Sequence, residues 1–138
     1  MTTQYVLDAS AVLAWLWRET GAKTVEDLLA AGGCAMSSVN LAEVLTKALD
    51  KGLPPEQLRT LVGSLELEVL PFEIDDAMEA ARLRVPTRHL GLSLADRACL
   101  ALAKTRGHPA VTADQAWVEA GPAIGVQIIC IRSQGGSA

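Results

Sequence analysis

The sequence predicts an α/β fold, a mostly parallel sheet covered by helices on both faces. Three observations carry that expectation. Short apolar runs of strand type alternate with helical stretches, several of ten residues or more, from one end of the chain to the other. Helix caps and glycine stops punctuate the alternation, leaving no linker and no internal repeat. Finally, 138 residues, half of them hydrophobic and a fifth charged, suit one core that buries roughly two thirds of the unfolded surface.

The elements follow in order. Tyr5-Val6-Leu7 is a short apolar strand ending at Asp8, and Ala11 to Trp17 continues as a helix with Ser10 placed to cap it. Ala22 to Ala31 is helical and stops at Gly32-Gly33, and Cys34-Ala35-Met36 is a second buried strand. Ser37 or Ser38 caps a helix that runs through Asp50 to a stop at Gly52. Pro54-Pro55 opens a helix over Glu56 to Leu65, and Leu67 to Phe72 alternates as a strand. Asp75 to Arg84 is helical and breaks near Pro86; Ser93 then caps an apolar helix, Leu94 to Lys104. Ala110-Val111-Thr112 is a strand, Gln115 to Ala120 a short helix, and Val126 to Ile131 the last strand. Residues 1–132 form the expected single domain, with Ser133 to Ala138 a disordered tail.

Composition excludes several classes. The longest charge-free stretch, Leu28 to Ala42, has fifteen residues and is interrupted by Gly32, Gly33, Ser37 and Ser38, short of the roughly 18 apolar residues of a membrane span. No basic region precedes the first apolar run, so the expectation is a chain that begins at Met1, carries no secretory signal and stays in the cytoplasm. Cys34, Cys99 and Cys130 are odd in number, lie among apolar neighbours and lack metal-ligand spacing, so they read as buried reduced thiols. The net charge of −4 argues against a general nucleic-acid coat. It hides an asymmetry, with only acids between Glu66 and Glu79. From Arg82 to His108, Arg82, Arg84, Arg88, Arg97, Lys104 and Arg106 face Asp96 alone. A local polyanion contact is therefore open to this segment.

In parallel sheets the ligand site lies beyond the carboxyl ends of the strands. Four acids stand out by that rule. Asp8 ends the first strand and Asp114 follows the strand Ala110 to Thr112; Asp96 is in the first turn of the helix capped by Ser93, and Glu43 lies in the helix after Cys34-Ala35-Met36. Each has a bland alternative: Asp8 and Asp114 as helix N-caps, Asp96 as the far member of a capping box with Ser93, Glu43 in an exposed pair with Lys47. Together they project toward one edge of the sheet, where clustered carboxylates repel unless a cation sits among them. Without these four the chain has as many bases as acids. Oxygen-only ligands select Mg²⁺ or Mn²⁺ over zinc, and such ions suit phosphate-ester hydrolysis.

Val6-Leu7-Asp8-Ala9-Ser10-Ala11, Asn40-Leu41-Ala42-Glu43-Val44, Leu92-Ser93-Leu94-Ala95-Asp96 with Cys99-Leu100-Ala101-Leu102-Ala103, and Val111-Thr112-Ala113-Asp114 with Trp117 occur in that order across nearly the whole chain. The set resembles the successive motifs of PIN-domain ribonucleases, particularly the VapC-type toxins of bacterial toxin–antitoxin pairs. The resemblance implies a PIN-like α/β/α sandwich with a five-stranded sheet and endonucleolytic cleavage of RNA. It implies a catalytic Mg²⁺/Mn²⁺ site of Asp8, Glu43, Asp96 and Asp114, supported by Ser10 and Thr112. Some members carry a further acid soon after the last Asp; here Gln115 and Ala116 follow, so one or two ions are implied.

Other residues have narrower roles. His89 and His108 would serve a metal-free nuclease using imidazole acid and base, but each sits in a turn-like segment. Trp15 and Trp17 lie in a helix apolar on nearly every side, and the surplus apolar surface points to a partner. The resemblance makes that partner a second copy in a homodimer or the C-terminal segment of a small antitoxin protein. Arg82, Arg84 and Arg88 are either solvated charges or holders of RNA phosphates. Among rivals, a haloacid-dehalogenase-type phosphatase wants a second acid at position 10, where Ser10 stands. A phospho-receiver wants a Lys after its late strand, and none follows Val126 to Ile131. A PIN-like module that only binds partners would be expected to lack an acid of the set, and none is missing.

Overall fold

β1 (Tyr5–Leu7), β2 (Cys34–Ser37), β3 (Glu68–Leu70), β4 (Ala110–Thr112) and β5 (Ile128–Cys130) form one five-stranded sheet in the spatial order β3-β2-β1-β4-β5, every neighbouring pair parallel. The structure is a computed structural model that describes residues 4–132. The tail expected at residues 133–138 lies outside the described residues. Parallel neighbours need crossovers, and helices supply them. α1 (Ala9–Leu16) and α2 (Ala22–Ala31) join β1 to β2; α3 (Ser38–Asp50) and α4 (Leu58–Ser64) join β2 to β3. α5 (Ile74–Arg82), α6 (Arg84–Thr87) and α7 (Leu94–Arg106) return the chain to β4, and α8 (Trp117–Ile124) leads to β5.

Side-chain alternation along the strands splits the core into two layers. Leu7, Met36 and Val111 pack on one face with Val12, Val25, Leu29 and Val44; Val6 and Ala110 pack on the other with Leu83, Cys99, Leu100 and Trp117. Both layers are needed because β1 and β4 are central and bury both faces. The chain steps outward from β1 to β3, then crosses back to place β4 on the other side of β1. The sheet order therefore reverses between β1 and β4, at whose carboxyl ends Asp8 and Asp114 stand.

Several local expectations are corrected. The first helix starts at Ala9 and is capped by Asp8, whose side chain accepts from the Ala11 N–H; Ser10 is inside the helix. The helix expected over Glu56 to Leu65 is a 3₁₀ turn, Pro55–Gln57, followed by α4. β3 and β5 are shorter than their apolar runs, as suits edge strands. The break after α5 falls at Leu83, while Pro86 lies in the first turn of α6, where its missing N–H has no intrahelical partner to lose. Cys130 is half-buried, in contrast to Cys34 and Cys99; all three are free thiols.

The last helix runs from Trp117 to Ile124, not from Gln115 to Ala120 as expected, and so passes through Gly121-Pro122. Burial of Ala120 and Ile124 outweighs the helix-breaking pair, and Pro122 is on the exposed side. A Cβ on Gly121 would meet the Val126 carbonyl at 2.6 Å and Ile128 Cγ1 at 2.8 Å. Gly121→Ala should thus destabilise the fold by about 1–3 kcal/mol through overpacking, despite alanine's better helix propensity; a urea midpoint at or above wild type would show that β5 shifts freely.

Candidate active site

β1 and β4 deliver two of the four acids. The Asp8 N–H donates to Val111 O at 3.0 Å, so the end of β1 is fixed beside the end of β4. Asp8 is 5% exposed, and its carboxylate gathers three side-chain and backbone donors. Ala11 N–H donates to Oδ1 at 2.9 Å, Ser10 Oγ to Oδ1 at 2.8 Å, and Thr112 Oγ1 to Oδ2 at 2.7 Å. Ser10 Oγ also accepts from the Ala113 N–H at 2.9 Å, and Thr112 Oγ1 from the Asp114 N–H at 3.0 Å. The two hydroxyls thereby tie the start of α1 to the loop after β4. Asp114 is exposed, its Oδ1 accepting from the Ala116 N–H at 3.0 Å.

Helices supply the other pair. Asp96, in the first turn of α7, completes a capping box: Ser93 N–H donates to its Oδ2 at 3.0 Å, and Ser93 Oγ accepts from the Asp96 N–H at 3.0 Å. The cap reading and the site reading of Asp96 are compatible, since the box uses one carboxylate oxygen. Glu43 on α3 is oriented by Asn40, one turn earlier and fully buried. Asn40 Nδ2 donates to Glu43 Oε1 at 3.2 Å and to Ala95 O at 3.0 Å, fastening α3 to the start of α7. The pair of Glu43 with Lys47 does not form among the described residues.

All four acids line one cavity of about 300 Å³, together with Ser10, Trp17, Glu19, Lys47 and Arg132. Burial pushes the Asp8 carboxyl up to about 6, against the lowering pull of its Ala11, Thr112 and Ser10 donors, with the charge of Asp96 adding a smaller upward push. Beneath the acids, buried Cys99 is held well above the usual thiol range, first by burial and then by the charges of Asp8, Asp96 and Glu43. Among the described residues no three His, Cys, Asp or Glu side chains already stand in ligating geometry. The donor chemistry nonetheless fits a hard divalent cation, because every acid offers oxygen, no imidazole or thiolate lines the cavity, and positive charge there would relieve the buried Asp8 carboxylate.

Other residues singled out in the sequence lie elsewhere. Arg82, Arg84 and Arg88 do not line this cavity, and Arg82 Nη1 lies 3.3 Å from Glu79 Oε1. His89 is exposed, 3.4 Å from Glu119, and His108 is not in the cavity either. Trp15 and Trp17 are half-buried against the first core layer; Trp17 borders the cavity and has the Lys51 ammonium 4.4 Å from its ring centroid. Three charged lining residues were not read from the sequence as site residues: Lys47, Glu19 and Arg132. Arg132 had a signal, since it directly follows the last apolar run, where polar residues after strands deserve attention. No helix among the described residues is long and apolar enough to cross a membrane.

A sequence model of the PIN domain matches residues 5–121. No curated protein sequence matches the chain. Among solved structures, the chain is similar to DNA-bound VapBC from Salmonella typhimurium, with TM-score 0.70 and 22% identity over 95% of this chain and 100% of that one. It is also similar to a toxin-antitoxin complex from Klebsiella pneumoniae, with TM-score 0.69 and 17% identity over 94% of this chain and 99% of that one. A third similar structure is VapBC-5, a member of the VapBC family of toxin-antitoxin systems from Mycobacterium tuberculosis, with TM-score 0.64 and 26% identity over 93% of this chain and 98% of that one.

Proposed function

Because this chain belongs to the PIN-domain family, whose members are typically nucleases, we propose that it is a metal-dependent endoribonuclease and the toxin of a toxin–antitoxin pair. The observation that carries the reading is the lining of one cavity, at the reversal of the sheet order, by Asp8, Glu43, Asp96 and Asp114. Those four would hold one or two Mg²⁺ or Mn²⁺ ions. Such an ion supplies positive charge to the scissile phosphodiester and lowers the pKa of the attacking water. The chain's own residues prepare the place. Ser10 and Thr112 hold the Asp8 carboxylate in one orientation, Ser93 fixes Asp96, and Asn40 fixes Glu43. With those side chains locked, little reorganisation accompanies the chemistry.

The toxin role rests on the likeness to VapBC and other toxin-antitoxin structures, and it makes a small antitoxin protein the partner and a homodimer the working unit. The half-buried Trp15 and Trp17 are the proposed partner contacts. Purified protein should cut single-stranded RNA in Mg²⁺ or Mn²⁺, stop in chelator, and leave 5′-phosphate and 3′-hydroxyl ends, as attack by water requires. Cyclic phosphate products that persist in chelator would overturn the metal reading.

A further inference from the structure

We propose that Arg132 is the phosphate-binding residue of the acid cavity and that Glu19 occupies its guanidinium until the nucleic-acid backbone displaces it. The proposal rests on the nuclease reading and names the group by which that site holds its polyanion.

Arg132 follows β5 and lines the cavity beside Asp8, Glu43, Asp96 and Asp114. One arm of its guanidinium, Nη2, donates to Glu19 Oε1 at 3.2 Å, while the side chain remains 40% exposed. Its Nε is buried and has no acceptor among the described residues. A buried donor without a partner is costly, and a guanidinium presents its N–H groups as a fork suited to two oxygens at once. Glu19 engages only Nη2. A phosphate, with several acceptor oxygens, satisfies Nε–H and an Nη–H together. Lys47, the other cation lining the cavity, is an exposed point charge on α3 and offers no such fork.

The place of Glu19 is built into the fold. Arg18 adopts a left-handed backbone at φ 54, uncommon for a residue with a side chain, and Gly21 lies at φ 94. A Cβ at Gly21 would come within 2.7 Å of both Ile131 O and Ile131 Cγ1, so the loop is pressed onto the residue just before Arg132. Glu19 N–H donates to Ala14 O at 2.8 Å, and Arg18 Nη1 lies 2.9 Å from Glu26 Oε1. An exposed ion pair by itself adds little stability; the packing of this loop on Ile131 is what holds Glu19 beside Arg132. While paired, Glu19 offsets the positive charge of Arg132, so an arriving phosphate has to compete with the carboxylate for the guanidinium.

The test uses the full chain and a labelled single-stranded RNA of about twenty nucleotides, bound with Ca²⁺ in place of Mg²⁺ over a range of KCl concentrations. Arg132→Ala should weaken binding roughly tenfold and make the slope of log affinity against log salt shallower by about 0.7. Arg132→Lys should keep the slope but lose affinity, because the charge remains and the fork does not. Glu19→Gln should tighten binding several-fold in the wild-type background and have little effect beside Arg132→Ala. Wild-type affinity and slope in Arg132→Ala would overturn the proposal, as would Glu19→Gln tightening by the same factor in both backgrounds. A wild-type protein that neither binds nor cuts RNA would remove the nuclease reading itself, whereas one that binds and cuts, matched by Arg132→Ala, would remove only this inference.

Discussion

In chelator at about pH 7.5, Asp8→Asn should melt above the wild-type protein, and with Mg²⁺ or Mn²⁺ supplied it should lose all cleavage activity. Burial holds the native Asp8 carboxyl up at about 6 against an ordinary 3.8. The native state therefore binds this proton more tightly than the unfolded chain does. That advantage is fully present below about pH 4 and is lost as pH rises through about 6, above which the ionised carboxylate costs on the order of 3 kcal/mol. Asparagine carries no charge and is as good a helix N-cap as aspartate, so the bond from the Ala11 N–H survives. Its amide replaces an acceptor with a donor, but Ser10 and Thr112 present hydroxyls, which can turn to accept. The net gain should be about 1–3 kcal/mol at neutral pH, a shift of roughly 3–10 °C, and it should vanish near pH 4. Thermal melts at the two pH values decide it. A variant less stable than wild type by the same margin at both would mean that the carboxylate serves only as a cap. Retained cleavage would remove Asp8 from the chemistry.

Asp96→Asn should abolish the stabilisation that Mg²⁺ or Mn²⁺ gives the wild-type protein, together with its ribonuclease activity. An ion present at a hundred times its Kd stabilises the native state by about 2.7 kcal/mol if it does not bind the unfolded chain. In the absence of metal the variant should stay within about 1 kcal/mol of wild type, because two small effects oppose. The side-chain oxygen of asparagine still accepts from the Ser93 N–H, so the capping box persists with only part of the helix-dipole contribution lost. Relief of the repulsion that Asp96 exerts on Asp8 offsets that loss. Paired melts with chelator and with metal separate the outcomes. Metal stabilisation intact in the variant would leave Asp96 as a cap alone and take the four-acid site with it.

The strands, most of the helices and the edge of the sheet that bears the acids are legible in the sequence, because each is encoded over a few neighbouring residues. An apolar run such as Tyr5-Val6-Leu7, a box such as Ser93 with Asp96, or a stop such as Gly32 after α2 needs no distant partner to be read. The positions of the four acids are legible for the same reason, since Asp8 directly follows β1, Asp114 lies two residues beyond β4, and Glu43 and Asp96 lie within helices with readable starts.

What the sequence left open depends on approach between distant segments. Ser10 reads as the local cap, yet Asp8 takes that role, and Ser10 turns to Asp8 and to the loop after β4, 103 residues away at Ala113. The short helix expected to end at Ala120 instead continues through Gly121-Pro122, where packing of α8 against β5 carries it on and the side chain that glycine lacks would strike Val126 and Ile128. The alternative pairing of Glu43 with Lys47 does not form among the described residues, and the structure sets both on the cavity wall. Arg132 and Glu19 meet across 113 positions. Their meeting follows from the seat of β5 beside β4 and from a loop held in left-handed geometry against Ile131. Periodicity and capping act over one or two turns of chain, so the sequence alone determined most of the elements and the position of the four acids at strand ends and in the helices that follow. The choice of cap at Asp8, the course of α8 and the charges that complete the cavity were decided only by tertiary packing, because steric fit and a charge pair both act over a few ångströms of space whatever the distance along the chain.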